Sequence, residues 1–214
     1  MTQTTSHPNG QKTRIDLQII AGMISPGSRV LDVGCGDGEL LRLLSSTRDV
    51  DCRGIELSQQ GVNACVAQGL SVVQGNADTD LVNYPTRGFD YVILSQTLQA
   101  TREPKRVLEE MVRIGRYAIV SFPNFGYWRV RLHVLRTGRM PVTRLLPHAW
   151  HETPNIHLCA IEDFTRLAGE MNLSLERFVT LDGNGKVNIF NRFPACANLF
   201  AAQALFLLRD KSAS

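Results

Sequence analysis

The sequence predicts an α/β fold: a mostly parallel sheet with helices on both faces. Three observations predict it. Strand-like and helix-like segments alternate from residue 14 to residue 122. A glycine-rich turn joins the first strand to the helix after it. The 214 residues are 43% hydrophobic and 20% charged, which suits one globular domain with a substantial core.

The elements follow in order. Residues 1–12 are polar and expected to be a flexible N-terminus, and a single domain is expected over 13–210. From Arg14 to Ile24 the apolar residues Ile15, Ile19, Ala21 and Met23 recur at loose helical spacing, and Pro26-Gly27 breaks the chain. Arg29 to Val33 reads as a buried strand. A helix is expected over Glu39 to Ser45, with Leu40, Leu41, Leu43 and Leu44. Asp51 to Leu57 reads as the second strand, Gln59 to Ala67 as a helix and Leu70 to Gln74 as the third strand. Phe89 to Leu94 is the fourth. A helix follows over Pro104 to Ile114, with its proline in the first turn, and Tyr117 to Phe122 is the fifth strand. The rhythm then changes. Residues 123–157 are rich in Pro, Arg, Trp and His and read as a basic insertion or lid. A helix over Ile161 to Met171 and strands at Leu173 to Leu181 and Ala201 to Leu208 close the chain.

Composition narrows the function. The net charge is +3, from 23 basic and 20 acidic residues, too small an excess to argue for nucleic acid. The N-terminus has no apolar signal core, and the longest apolar stretch is too short to span a bilayer. The five cysteines are scattered with no CxxC pair, which suits reduced thiols in the cytoplasm. His148, His151 and His157 match no standard zinc spacing, so no metal is expected.

The central signal is Val30-Leu31-Asp32-Val33-Gly34-Cys35-Gly36-Asp37-Gly38-Glu39. Glycines at 34, 36 and 38 permit a tight turn and a close approach of backbone to ligand. Asp32, Asp37 and Glu39 crowd the turn, and no lysine is present. Carboxylates repel phosphate oxygens, which disfavours a dinucleotide or a P-loop ligand. They suit a nucleoside carrying a sulfonium and an ammonium group, and S-adenosylmethionine fits that description. Glu56 ends the second strand, where it can accept both hydroxyls of a ribose. Asp78 can accept from an adenine amino group while Ala77 supplies a backbone donor; alternatively Asp78 is a turn residue. Cys35 reads as a small turn residue with no reason to be reactive. The expected cofactor-binding set is Asp32, Gly34, Cys35, Gly36, Gly38, Glu56, Leu57, Ala77, Asp78 and Ser95.

These residues resemble the class I methyltransferase pattern. Longer strings resemble the MetW family of methionine-biosynthesis proteins: Leu94-Ser95-Gln96-Thr97-Leu98-Gln99, Ser121 to Arg129, Gly138 to Thr143 and Thr153 to Cys159. The first resemblance implies a Rossmann-like, seven-stranded sheet with a last, antiparallel strand. It also implies S-adenosylmethionine or S-adenosylhomocysteine at the ends of the first two strands. The second implies a role in making methionine beside a homoserine O-acyltransferase. Neither establishes methyl transfer. The fourth strand leads into Ser95-Gln96-Thr97-Leu98-Gln99 rather than the Asn/Asp-Pro-Pro-aromatic motif of many amino-group methyltransferases. Candidate catalytic groups are Gln96, Asn124, Tyr127 and His157. The glutamine is no base, and the histidine either orients its loop or lines the pocket. Two functions stay open: a cofactor-binding partner of the acyltransferase, and an active methyltransferase on a small molecule. In the insertion, Trp128, Leu132 and Leu135 fall on one helical stripe and are expected to pack. Arg129, Arg131, Arg136, Arg139 and Arg144 form either a solvated face or a dock for an acidic partner.

Overall fold

A computed structural model describes residues 14–47, 49–143, 146–190 and 196–211. The expected flexible N-terminus, residues 1–12, and Arg144 lie outside the described residues.

The strands are β1 Arg29–Val33, β2 Asp51–Glu56, β3 Val72–Gln74, β4 Phe89–Ser95, β5 Gly115–Pro123, β6 Leu173–Leu181, β7 Val187–Phe190 and β8 Gln203–Asp210. The helices are α1 Ile15–Met23, α2 Glu39–Thr47, α3 Gln59–Ala67, α4 Pro104–Ile114, α5 Trp128–Thr137, α6 Ile161–Glu170 and α7 Ala197–Phe200. One sheet runs in the order β3-β2-β1-β4-β5-β8-β6-β7. β3, β2, β1, β4 and β5 pair in parallel, and β8 is antiparallel to both β5 and β6.

The sheet among the described residues has eight strands, not the seven expected. The addition is β7, an edge strand folded antiparallel onto β6. Its turn, Asp182-Gly183-Asn184-Gly185, is a hairpin signal. Asp182 Oδ1 accepts from the Asn184 and Lys186 amides, each at 2.8 Å, and Gly185 takes φ 85°.

Both faces of the sheet are buried, so β1 reads as a continuous apolar run broken by one carboxylate. Leu31 and Val33 face α4 and α6, whereas Val30 faces α1 and α2. Alternation puts Asp32 on the α1 side. α4 buries Val107, Leu108, Met111 and Ile114, a stripe at helical spacing. Phe122, Phe164, Phe178 and Phe206 join α6 to the antiparallel half, with successive ring centroids 4.6–5.0 Å apart. Each such aromatic pair adds about 0.5–1.5 kcal/mol beyond its burial.

The insertion departs from expectation. α5 forms and ends at Gly138, with φ 63°. Its apolar stripe packs only in part, however: Leu132 is half-buried, whereas Trp128 is 38% exposed and Leu135 82% exposed. Tyr127 and Val130 anchor the helix instead, in a small cluster with Ala202, Phe125 and Leu146. The stripe stands off the sheet because no second layer covers that side of α5 among the described residues.

Candidate functional site

The strand order turns back between β1 and β4, and the crevice at their carboxyl ends is where an α/β sheet places a ligand. The glycine turn lies there, and its glycines do different work. A Cβ on Gly34 would sit 2.7 Å from Thr97 Oγ1, and one on Gly38 would sit 2.4 Å from Leu70 Cδ1. Those two glycines let the turn pack down. A Cβ on Gly36 would meet nothing within 4 Å, although its φ is 58°. Gly36 therefore presents open backbone outward, the place for a ligand.

Glu56 reaches the same point from β2. Its Oε2 accepts from the Gly36 amide at 2.8 Å and its Oε1 from the Ser58 amide at 2.8 Å. Each carboxylate oxygen keeps a lone pair for a hydroxyl. Gly61 makes this approach possible: a Cβ there would lie 2.7 Å from Glu56 Cγ and 2.8 Å from the Gly36 carbonyl. The next residue, Leu57, is 65% exposed and offers an apolar flank for a base.

Asp32 is buried, and its Oδ1 has no hydrogen-bond partner among the described residues. Burial, with the Glu56 charge adding to it, pushes its carboxyl up to about 7, while Arg14 pulls the other way. An orphaned buried carboxylate oxygen suits a cationic donor. Open backbone at Gly36, hydroxyl acceptors on Glu56 and a carboxylate at Asp32 together fit a positively charged nucleoside. They do not fit a pyrophosphate.

Other expected residues have different work. The Cys35 side chain turns inward onto Leu41 and Cys65, and burial pushes its thiol well above the usual range. Only its backbone belongs to the turn, its amide donating to the Ile55 carbonyl at 3.1 Å. Asp78 Oδ1 accepts from the Arg102 amide at 2.9 Å and the Glu103 amide at 3.1 Å. It holds the entry to α4. Ala77 packs against the core. The Ser95 hydroxyl lies 3.3 Å from that of Ser121, across β4 and β5.

The candidate catalytic groups divide: Asn124 and Tyr127 line one cavity of about 340 Å³, Gln96 lines another of about 370 Å³, and His157 lines neither. Asn124 is buried; its Nδ2 donates to the Asn198 and Ala201 carbonyls at 2.9 and 2.7 Å. Its Oδ1 accepts from the Gly126 and Ile161 amides at 2.9 and 3.2 Å. All its polar capacity is spent on holding loops. Tyr127 anchors α5. His157 is exposed, and its Nε2 donates to the Arg102 carbonyl at 3.2 Å, pinning its loop. Only Gln96 stays beside the glycine turn. It follows β4 at φ 57°, unusual for a residue other than glycine, and its Nε2 donates to Asp16 Oδ2 at 2.9 Å. Asp16, with Arg14, is a polar centre that sequence reasoning missed.

Beyond Gln96, at the ends of β4 and β5, a chamber of about 370 Å³ opens beneath the 140–158 loop, with Met140, His148, Trp150 and Ile156 among its walls. Among the described residues no helix is long and apolar enough to cross a membrane.

The family model described as "Methionine biosynthesis protein MetW" matches residues 14–208. A bifunctional methionine biosynthesis protein MetXA/MetW from Rhodopirellula baltica is 34% identical over 194 residues. That match covers 85% of this chain and 31% of the relative, so the chain spans about a third of that protein's length. Among solved structures, an S-adenosylmethionine-dependent methyltransferase from Mesorhizobium loti superposes with TM-score 0.66 at 15% identity, covering 94% of this chain and all (100%) of that one. The [4+2]-cyclase SpnF superposes with TM-score 0.63 at 15% identity, covering 91% of this chain and 80% of that one. The fold is thus that of S-adenosylmethionine-dependent methyltransferases. It also serves a cyclase, so it does not decide the reaction.

Proposed function

The chain belongs to the MetW family of methionine-biosynthesis proteins, and from that premise we propose that it is a cytoplasmic, S-adenosylmethionine-binding partner of a homoserine O-acyltransferase. The observation that carries the cofactor reading is the open backbone of Gly36 held by Glu56, with its 2.8 Å bond between them. Gly36 and Glu56 receive the ribose, Leu57 flanks the base, and Asp32 faces the cationic end. When bound, S-adenosylmethionine supplies an electrophilic methyl group on a sulfonium. The partner reading draws on the MetXA/MetW relative, in which both names share one protein. It also draws on the structural work of Asn124, which spends its side chain on holding loops, and of His157, which pins its loop to the Arg102 carbonyl.

The docking face is the 125–158 segment. Trp128, Leu135, Met140, Val142, Trp150 and Ile156 are exposed there, Leu135 at 82% and Trp150 at 75%. Arg129, Arg131, Arg136 and Arg139 are exposed too, and none forms an ion pair among the described residues. Exposed apolar side chains interspersed along the segment with unpaired arginines suit an acyltransferase surface that offers apolar and acidic groups. A second copy is a poorer fit, since a twofold contact sets arginine against arginine. RNA is poorer still, because exposed Leu, Val, Met and Ile gain nothing from phosphate. By linkage, cofactor occupancy biases the partner, and the pathway's downstream product is sensed.

Co-purification of the two proteins tests this, with acyltransferase rates measured with and without this chain and its cofactor. A complex and a cofactor-dependent rate are expected; neither complex nor rate change rejects the reading. The chamber of about 370 Å³ beside Gln96 favours a second reading, a methyltransferase acting on a small apolar molecule. Labelled-methyl transfer into a cell extract distinguishes the two.

A further inference from the structure

A second polar cavity lies away from the glycine turn. It holds about 340 Å³ between the first turn of α5, the β6–β7 hairpin and α7. Thr180 on β6 and Asn188, its partner on β7, line it from the sheet. Alternation along β6 puts Thr180 with Phe178 on the α6 face, whereas Asp32 lies on the α1 face. The strands β4, β5 and β8 separate β6 from β1. At roughly 4.8 Å per strand step, that is about 19 Å, beyond the reach of a methyl donor seated at the turn. The cavity is therefore a separate site.

Its polar side chains have donors to spare. Tyr127 is 9% exposed and Thr180 3% exposed, yet neither hydroxyl has a hydrogen-bond partner among the described residues. Neither oxygen is sealed off, so each opens onto the cavity it lines. Arg129 and Lys186 bring two positive charges and form no ion pair among the described residues. The Arg129 guanidinium lies over the Trp128 ring, 5.3 Å from its centroid. Arg129 Nη1 and the Tyr127 hydroxyl come together at Gly183, where a Cβ would sit 3.6 Å from the first and 2.7 Å from the second. No side chain caps α5, and the amides of Trp128, Arg129 and Val130 have no acceptor among the described residues. The positive end of the helix thus adds to the two cations. One carboxylate, Asp182, also lines the cavity, but its Oδ1 is taken up by the Asn184 and Lys186 amides. A buried hydroxyl without a partner destabilises the free chain. Two of them beside two cations are satisfied together by one acceptor-rich, negative group.

We propose that this cavity binds a small metabolite through an oxyanion, a carboxylate or a phosphate, held by Arg129 and Lys186 and by the hydroxyls of Tyr127 and Thr180. A carboxylate takes paired bonds from the Arg129 fork, and a phosphate brings a third oxygen for the hydroxyls. The site is independent of the cofactor reading, since it shares no residue with the glycine turn.

Calorimetry on the full chain tests it, with succinate, inorganic phosphate and choline as probes. Saturable binding of succinate or phosphate is expected, at least tenfold tighter than any binding of choline, and the tighter of the two anions identifies the group. Arg129→Met is expected to weaken anion binding at least tenfold, and Tyr127→Phe combined with Thr180→Val by about tenfold. S-adenosylmethionine affinity should change by less than twofold in both. Lys105→Met, which removes an exposed charge on α4, should leave anion affinity unchanged. Thermal melting without anion separates a binding role from a structural one. Removing two partnerless hydroxyls is expected to raise Tm, whereas a lowered Tm would assign them to holding the fold and overturn the proposal. The absence of saturable binding by either anion also overturns it. So does binding that survives the loss of Arg129 and of both hydroxyls, or that falls as much with Lys105→Met.

Discussion

The two ends of the crevice are built on opposite plans. At the glycine turn, polar groups converge: Glu56 from β2 accepts from the Gly36 amide at 2.8 Å, and Asp32 from β1 feels the charges of both Glu56 and Arg14. Across the 125–158 segment, apolar side chains diverge into solvent, and Leu135 and Trp150 stand free of any core. The first region leaves one buried carboxylate oxygen, Asp32 Oδ1, without a partner among the described residues, which suits a small charged molecule. The second exposes surface that a monomer gains nothing by exposing. One region gathers polar groups around open backbone, and the other exposes apolar surface.

Variants that affect one region and spare the other set that contrast at risk. The largest effect belongs to Gly36→Val. Nothing in the fold lies within 4 Å of a Cβ there, so the side chain fills the ligand's place under a strained backbone, and circular dichroism checks that the variant stays folded. Calorimetry is expected to show at least a hundredfold loss of S-adenosylmethionine affinity, with the acyltransferase still bound. In the other region, Leu135→Glu combined with Trp150→Glu is expected to abolish the acyltransferase complex in co-purification. Its affinity for S-adenosylmethionine should change by less than twofold.

Glu56→Ala comes next. Lost hydrogen bonds to a charged group cost roughly 1.5–3 kcal/mol of binding, about ten- to hundredfold in calorimetry. A smaller effect follows pH. Asp32, facing Glu56 and Arg14, has its carboxyl raised from its ordinary 3.8 to about 7. The folded chain thus holds this proton more firmly than the unfolded chain. Asp32 therefore subtracts stability as pH climbs from its ordinary value towards 7, and the loss levels off above that. A bound cation favours the ionised form, so affinity for S-adenosylmethionine should fall by up to tenfold per pH unit below about 7. Asp32→Asn should flatten that profile. The smallest effect is on stability: Leu135→Ser should shift unfolding by no more than about 0.5 kcal/mol, since the side chain packs on nothing.

How much could be read in advance follows the range of the interactions. The parallel half was legible because its signals are local. Periodicity marks each strand and helix, and the glycines at 34, 36 and 38 mark the turn between β1 and α2. Class I resemblance supplied the closing antiparallel strand. β7 was locally written as well, in Asp182 to Gly185, and passed over. Asp16 was not legible. Its partners Gln96 and Gln203 lie 80 and 187 residues away, and nothing in a nine-residue helix announces a carboxylate knot. Asn124 misled for the same reason: a polar residue at a strand end looks available until the carbonyls of Asn198 and Ala201 are brought to it. The α5 stripe misled differently. Helical spacing of Trp128, Leu132 and Leu135 says that one face is apolar, but not whether the chain itself covers that face.

Calorimetry of the purified chain against S-adenosylmethionine and NAD asks the plainest question of the glycine turn. Saturable binding of S-adenosylmethionine, lost in a folded Gly36→Val chain and absent for NAD, is what a carboxylate-lined bend with Glu56 beside it predicts. Binding of NAD, or an unchanged S-adenosylmethionine affinity in that variant, would contradict it.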